Sequence, residues 1–147
     1  MAEVRCILLV EDNPKDVELT LTALSEHNLA NEVVVARDGE EALEYLRRRG
    51  RFAGREPGDP AVVLLDLKMP KVDGLEVLRQ IKSDDALRTI PVVMLTSSRE
   101  DKDLIDSYRL GTNAYVVKPV VFEHFVEAVR NIGGFWAILS EAPRRTS

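Results

Sequence analysis

A single cysteine, Cys6, stands in a chain of 147 residues. That excludes an internal disulfide and suits a reducing compartment, with a buried thiol that has no redox task. No apolar run approaches the roughly 20 residues needed to cross a membrane. Met1 to Leu9 lacks a basic segment followed by a long apolar core, so no secretory signal is expected. Charge of one sign is nowhere massed. The 20 basic and 25 acidic residues give a net charge of −5 spread along the chain, which disfavours nonspecific nucleic-acid binding. Internal repeats and low-complexity segments are absent too. What remains is a cytoplasmic protein with no membrane or nucleic-acid partner, expected to form one domain, its 45% hydrophobic content sufficient for a sizeable core.

The most telling stretch is Val62-Val63-Leu64-Leu65-Asp66-Leu67-Lys68-Met69-Pro70. An apolar run without alternation reads as a strand buried on both faces, as in a parallel sheet under helices. It ends on a carboxylate. Similar short runs are Arg5–Val10, Val33–Ala36, Ile90–Leu95 and Ala114–Val117. Helical spacing recurs between them. Pro14 opens one helix after Asp12 or Asn13 as cap, with Val17, Leu21 and Leu24 on its stripe and an end near His27-Asn28. Asp38-Gly39 opens a second helix, closed by Arg47-Arg48-Arg49 and a capping Gly50. Leu75, Val77, Leu78 and Ile81 carry a third, Glu100 to Leu110 a fourth, and Phe122, Phe125, Val126, Val129 and Ile132 a fifth. Gly50 to Pro60, rich in Gly and Pro with little to bury, reads as a long surface loop. Five strands alternating with five helices imply a doubly wound α/β fold, a five-stranded parallel sheet with helices on both faces.

In such a sheet the carboxyl ends of the strands gather at one edge. Here they carry Glu11-Asp12, Asp66, Thr96 and Lys118. Three carboxylates at close range repel unless a cation compensates. Oxygen ligands without His or Cys favour a hard ion such as Mg²⁺, which keeps positions open for a phosphoryl oxygen. An ammonium and a hydroxyl could then contact the other oxygens, with Asp66 as nucleophile. Taken singly, each group has an ordinary use: Asp66 starts a turn, Glu11 and Asp12 an acidic helix, Thr96 caps, Lys118 is solvated. Four complementary groups on four strand ends are a rarer accident than any one of them.

Glu11-Asp12, the Asp66–Gly74 run, Leu95-Thr96-Ser97-Ser98 and Lys118-Pro119 together resemble the receiver domain of two-component response regulators, over about Cys6 to Val129. The resemblance implies a flavodoxin-like (βα)5 fold, with residues 1–147 as one receiver domain, a core over about 5–130 and an extension over 131–147. It also implies that Asp66 accepts a phosphoryl group from a sensor histidine kinase. Mg²⁺ would be held by Glu11, Asp12, Asp66 and the backbone carbonyl of Lys68. Thr96 and Lys118 would contact the phosphoryl group, and a cis peptide would join Lys118 to Pro119. Thr96 and Tyr115 would form the switch that alters the surface of the fourth helix, the fifth strand and the last helix. A half-buried strand aromatic is the ordinary reading of Tyr115.

The Gly50–Pro60 loop and the apolar Phe135-Trp136 tail depart from a plain receiver. Both are similar to single-domain regulators that partner bacterial phytochromes, which often form homodimers, and the tail must pack on its own domain or on a second copy. A phosphoacceptor switch is therefore expected rather than an enzyme, its chemistry limited to self-catalysed phosphorylation and dephosphorylation. A relay to a histidine phosphotransfer protein is the alternative within the same class. A phosphohydrolase would want an acid two residues after the nucleophile, where Lys68 stands. A flavin carrier would want a phosphate-cradling loop where Glu11-Asp12-Asn13-Pro14 stands.

Overall fold

The computed structural model describes residues 6–25, 33–69, 72–97, 106–107 and 109–130. Five strands, β1 (Ile7–Val10), β2 (Val33–Ala36), β3 (Val62–Asp66), β4 (Val92–Thr96) and β5 (Ala114–Val117), form one sheet in the order β2-β1-β3-β4-β5. Every pairing is parallel. The unbroken apolar runs are explained by their places. β1, β3 and β4 are central and buried along their whole length, while β2 and β5 hold the edges and are partly exposed.

Alternation along the strands divides the core in two. Leu8, Val10, Val63, Leu65, Val92 and Met94 face α2 (Gly39–Arg47) and α3 (Gly74–Ser83). Ile7, Leu9, Val62, Leu64, Val93 and Leu95 face α1 (Pro14–Ser25) and the last described helix, Phe122–Arg130. Helices therefore cover both faces, which is what buries the central strands β1, β3 and β4 on both sides. Truncating a residue such as Leu64, 0% exposed, removes contacts on all sides and costs about 2–5 kcal/mol.

The helix starts follow the expected chemistry. Asn13 Oδ1 accepts from the backbone N–H of Lys15 and Asp16 at 2.8 and 3.2 Å, so Asn13 rather than Asp12 caps α1. Asp38 and Asp73 do the same for α2 and α3 through Glu41 and Glu76. The close of α2 differs from expectation. Arg48, not Gly50, takes the left-handed cap at φ 55°, and its N–H reaches the Tyr45 carbonyl at 3.2 Å. β4 starts at Val92, two residues later than expected, since Ile90 and Pro91 precede the ladder.

The segment read as a plain surface loop has its own architecture. It begins with a 3₁₀ turn, Gly50–Phe52, whose Phe52 packs edge-on against Tyr45 with ring centroids 5.1 Å apart. The Arg55 guanidinium lies over that ring, 4.0 Å from its centroid, and donates to the carbonyls of Tyr45 (2.8 Å), Glu56 (2.7 Å) and Gly58 (3.1 Å). Tyr45 Oη in turn meets the half-buried Cys6 Sγ at 3.2 Å. One arginine thus replaces the apolar side chains the loop lacks.

Of the expected helix over 100–110, the described residues Asp106, Ser107, Arg109 and Leu110 are helical, and Gly111 follows at φ 105°. The end of α1 near His27-Asn28, Ile132 of the last helix and the Phe135-Trp136 tail lie outside the described residues. No described helix is long and apolar enough to cross a membrane.

Candidate functional site

β1 and β3 are neighbours, yet β1 leads to β2 on one side and β3 to β4 on the other. That reversal opens a crevice beyond the carboxyl ends of the two strands. Glu11 leaves β1 there, 1% exposed, its N–H bonded to the Ala36 carbonyl at 3.0 Å. Asp66 ends β3 at 4% exposure. Its neighbour Leu67 continues the ladder to the Leu95 carbonyl at 3.0 Å and accepts from Gly74 N–H at 3.0 Å, folding the chain back over the site. Gly74 is required by this closeness: a Cβ there would lie 2.2 Å from the Asp66 carbonyl oxygen. Thr96 closes β4 at 1% exposure, and Lys118 N–H bonds the Thr96 carbonyl at 2.7 Å. The peptide between Lys118 and Pro119 is cis, as expected.

The charged groups meet as the strand ends suggested. One ligand oxygen from each of Glu11, Asp12 and Asp66 lies within 4.8 Å of the others. Lys118 Nζ contacts Glu11 Oε1 at 3.2 Å, Asp66 Oδ1 at 3.2 Å and Asp16 Oδ2 at 3.0 Å. Far from being a solvated lysine, Lys118 has a side chain only 18% exposed.

Burial and the Asp66 charge push Glu11 up to about 7, against the pull of Lys118. Burial also raises Asp66, opposed by the same ammonium. At Lys118 burial works against the charge, but the Asp16 hydrogen bond and the charges of Asp66 and Glu11 outweigh it and push the pKa up. Two nearly fully buried carboxylates share one ammonium and stay strained in their ionised forms. An oxygen-only donor set with uncompensated negative charge fits a hard divalent cation.

The remaining expected residues fall around this centre. Lys68 follows two residues after Asp66 with an exposed side chain. Tyr115 is half-buried on edge strand β5, opposite Met94, and packs against the core on the α2 and α3 side. The strand and the last helix border a surface cleft of about 520 Å³ lined by Tyr115, Val117, His124 and Glu127. Pro70, in the motif beside the site, lies outside the described residues.

Asp16 is the member that reading the strand ends missed. It sits on the first turn of α1, not at a strand end, four residues after Asp12. An acid in the first turn of the helix that directly follows the Glu11-Asp12 pair was the available signal.

The chain is similar to known proteins over nearly its whole length. The response regulator Rcp1 of Synechocystis sp. is 38% identical over 132 residues, 90% of this chain and 88% of Rcp1. The crystal structure of its Mn²⁺-bound form matches at a TM-score of 0.72, covering 90% of this chain and 94% of that one. The bacteriophytochrome response regulator AtBRR shares 67% identity at a TM-score of 0.88, over 94% of this chain and 99% of its own. The phosphorylated cyanobacterial phytochrome response regulator RcpA shares 42% at 0.74, over 92% and 95%. Residues 7–130 match the family model described as the response regulator receiver domain. That match spans most of the chain, including all four strand ends that carry the acids, the hydroxyl and the lysine: the chain belongs to the response regulator receiver domain family.

Proposed function

We propose that the protein is a phosphoacceptor switch in which Asp66 takes a phosphoryl group from a phosphohistidine of a sensor histidine kinase. The observation that carries this is the buried carboxylate of Asp66, at the end of β3, held 3.2 Å from Lys118 beside the Glu11 and Asp12 acids. An Asp66 oxygen attacks phosphorus, the phosphorus–nitrogen bond breaks, and the imidazole leaves with the bonding pair. Lys118 neutralises oxygens of the transferring group and Thr96 hydrogen-bonds another. Glu11, Asp12, Asp66 and the Lys68 carbonyl would hold Mg²⁺, whose charge would offset that of the phosphoryl group. The protein acts on no external substrate; transfer to and loss from its own aspartate are its chemistry.

Partners are inferred from the relatives. Similarity to proteins named as bacteriophytochrome response regulators supports a phytochrome histidine kinase as the donor. A cytoplasmic location and a homodimer are part of the same proposal, and the apolar character of Phe135-Trp136 in the sequence is what favours a surface shared with a second copy. Acetyl phosphate with Mg²⁺ should phosphorylate the wild type and leave Asp66→Asn unmodified, read by intact-mass spectrometry; label on the variant rejects Asp66. Transfer profiling across histidine kinases, a phytochrome kinase included, identifies the donor. Light scattering at high micromolar concentration, with and without a phosphoryl analogue, tests the dimer.

A further inference from the structure

The Lys118 ammonium has three N–H donors, and three carboxylates face it at 3.0–3.2 Å. Two of them, Glu11 and Asp66, belong to the acidic cluster of the proposed Mg²⁺ site. The third, Asp16, does not. It sits on the first turn of α1, where Asn13 Oδ1 binds its backbone N–H at 3.2 Å and fixes that turn. Its side chain is 28% exposed, against 1% for Glu11 and 6% for Asp66, so its charge is kept at lower cost than either.

We propose that Asp16 is a positioning residue that keeps an anionic partner on the Lys118 ammonium when a divalent cation takes the Glu11 and Asp66 oxygens the ammonium also contacts. An ammonium and a divalent cation compete for the same oxygens and repel each other. Without Asp16, Lys118 has only Glu11 and Asp66 to pair with, and a cation that takes their oxygens leaves the ammonium without a partner. With Asp16, the lysine keeps one anionic partner throughout the cycle and stays within reach of a phosphoryl oxygen on Asp66. The tether is on a capped helix rather than a loop, which holds it to a single geometry.

This inference rests on the reading that Glu11, Asp12 and Asp66 bind Mg²⁺, and a double-mutant cycle separates the two. Mg²⁺ alone is titrated calorimetrically into wild type, Asp16→Asn, Asp16→Glu, Lys118→Met and the Asp16→Asn/Lys118→Met pair. Asp16→Asn is isosteric and protects against loss of fold. It should weaken Mg²⁺ binding about three- to tenfold, the coupling expected for members of one ion network. Asp16→Glu, which restores the carboxylate, should recover most of the affinity. In the Lys118→Met background the Asn substitution should change affinity by less than about twofold, since only a screened field remains. Equal losses in both backgrounds, or no loss in the wild-type background, overturn the role of Asp16 alone. Wild-type protein that takes up no Mg²⁺ overturns the metal reading and the Asp16 role with it.

Discussion

Glu11 is ionised only against its surroundings. Its carboxyl rises from 4.5 to about 7 because burial and the Asp66 charge disfavour ionisation. The folded state therefore holds a proton that the unfolded chain has released between those two values. The stability associated with that proton is complete below about 4.5 and lost as pH rises through about 7. Metal-free protein should lose ~1–3 kcal/mol of unfolding free energy across this window. Urea titrations in a chelator between pH 5 and 8 measure the slope. Glu11→Gln should flatten it, and saturating Mg²⁺ should oppose it by binding the ionised form. An unchanged slope in Glu11→Gln would place the pH dependence elsewhere. The acids of this site were legible in the sequence because strand ends are legible. Asp16 was not, since the meaning of a helical acid depends on which lysine the tertiary structure brings to it.

Two elements with opposite duties flank β3. At its carboxyl end α3 begins so close to the strand that Gly74 has no room for a side chain. Gly74→Ala should therefore push the first turn of α3 away from Asp66 and Leu67, costing about 1–3 kcal/mol by overpacking. Phosphate uptake from acetyl phosphate should fall alongside, because the same shift moves the acceptor. Normal uptake at wild-type stability would mean that the backbone accommodates the methyl without moving the site. At the other end of β3, the loop fixed by Arg55 lies across the sheet from the chemistry. Arg55→Ala removes a ring contact and the bonds to three carbonyls. It should lower stability by about 1–2 kcal/mol and leave the uptake rate unchanged. Chemical denaturation and a phosphorylation time course on the same sample check both halves. The length and position of this loop were evident from its Gly and Pro content, but its order was not. Arg55 sits ten residues from Tyr45, and composition does not reveal that a guanidinium will cover a ring and cap a helix.

At the scale of the molecule, the sheet order explains how one event at Asp66 can reach a distant face. Unbroken Val and Leu runs with helical periods between them were enough to anticipate parallel strands and two helical layers, because burial on both faces imposes that composition. The pairing of β4 with β5 then connects the site to the surface. Thr96 lies in register with Val117, and Tyr115 with Met94, so a shift of the Thr96 hydroxyl toward a phosphoryl group acts on the edge strand within two residues of Tyr115. An edge strand is bonded on one side only and is the part of the sheet most easily displaced. Beryllofluoride with Mg²⁺, which mimics phosphorylation at Asp66, should change amide hydrogen exchange in β5 and in the helix Phe122–Arg130 while β1 and β3 stay protected. Thr96→Ala should still bind the mimic through Lys118 and the metal, yet lose the remote response. The coupling so removed should be ~1–3 kcal/mol, the usual range between linked sites. Tyr115→Ala should retain the exchange change at Thr96 and lose it in the last helix, because the hydroxyl still moves but nothing transmits the movement past the strand. If both variants respond as the wild type does, the signal leaves the crevice by another route, and the β4–β5 register is only architecture.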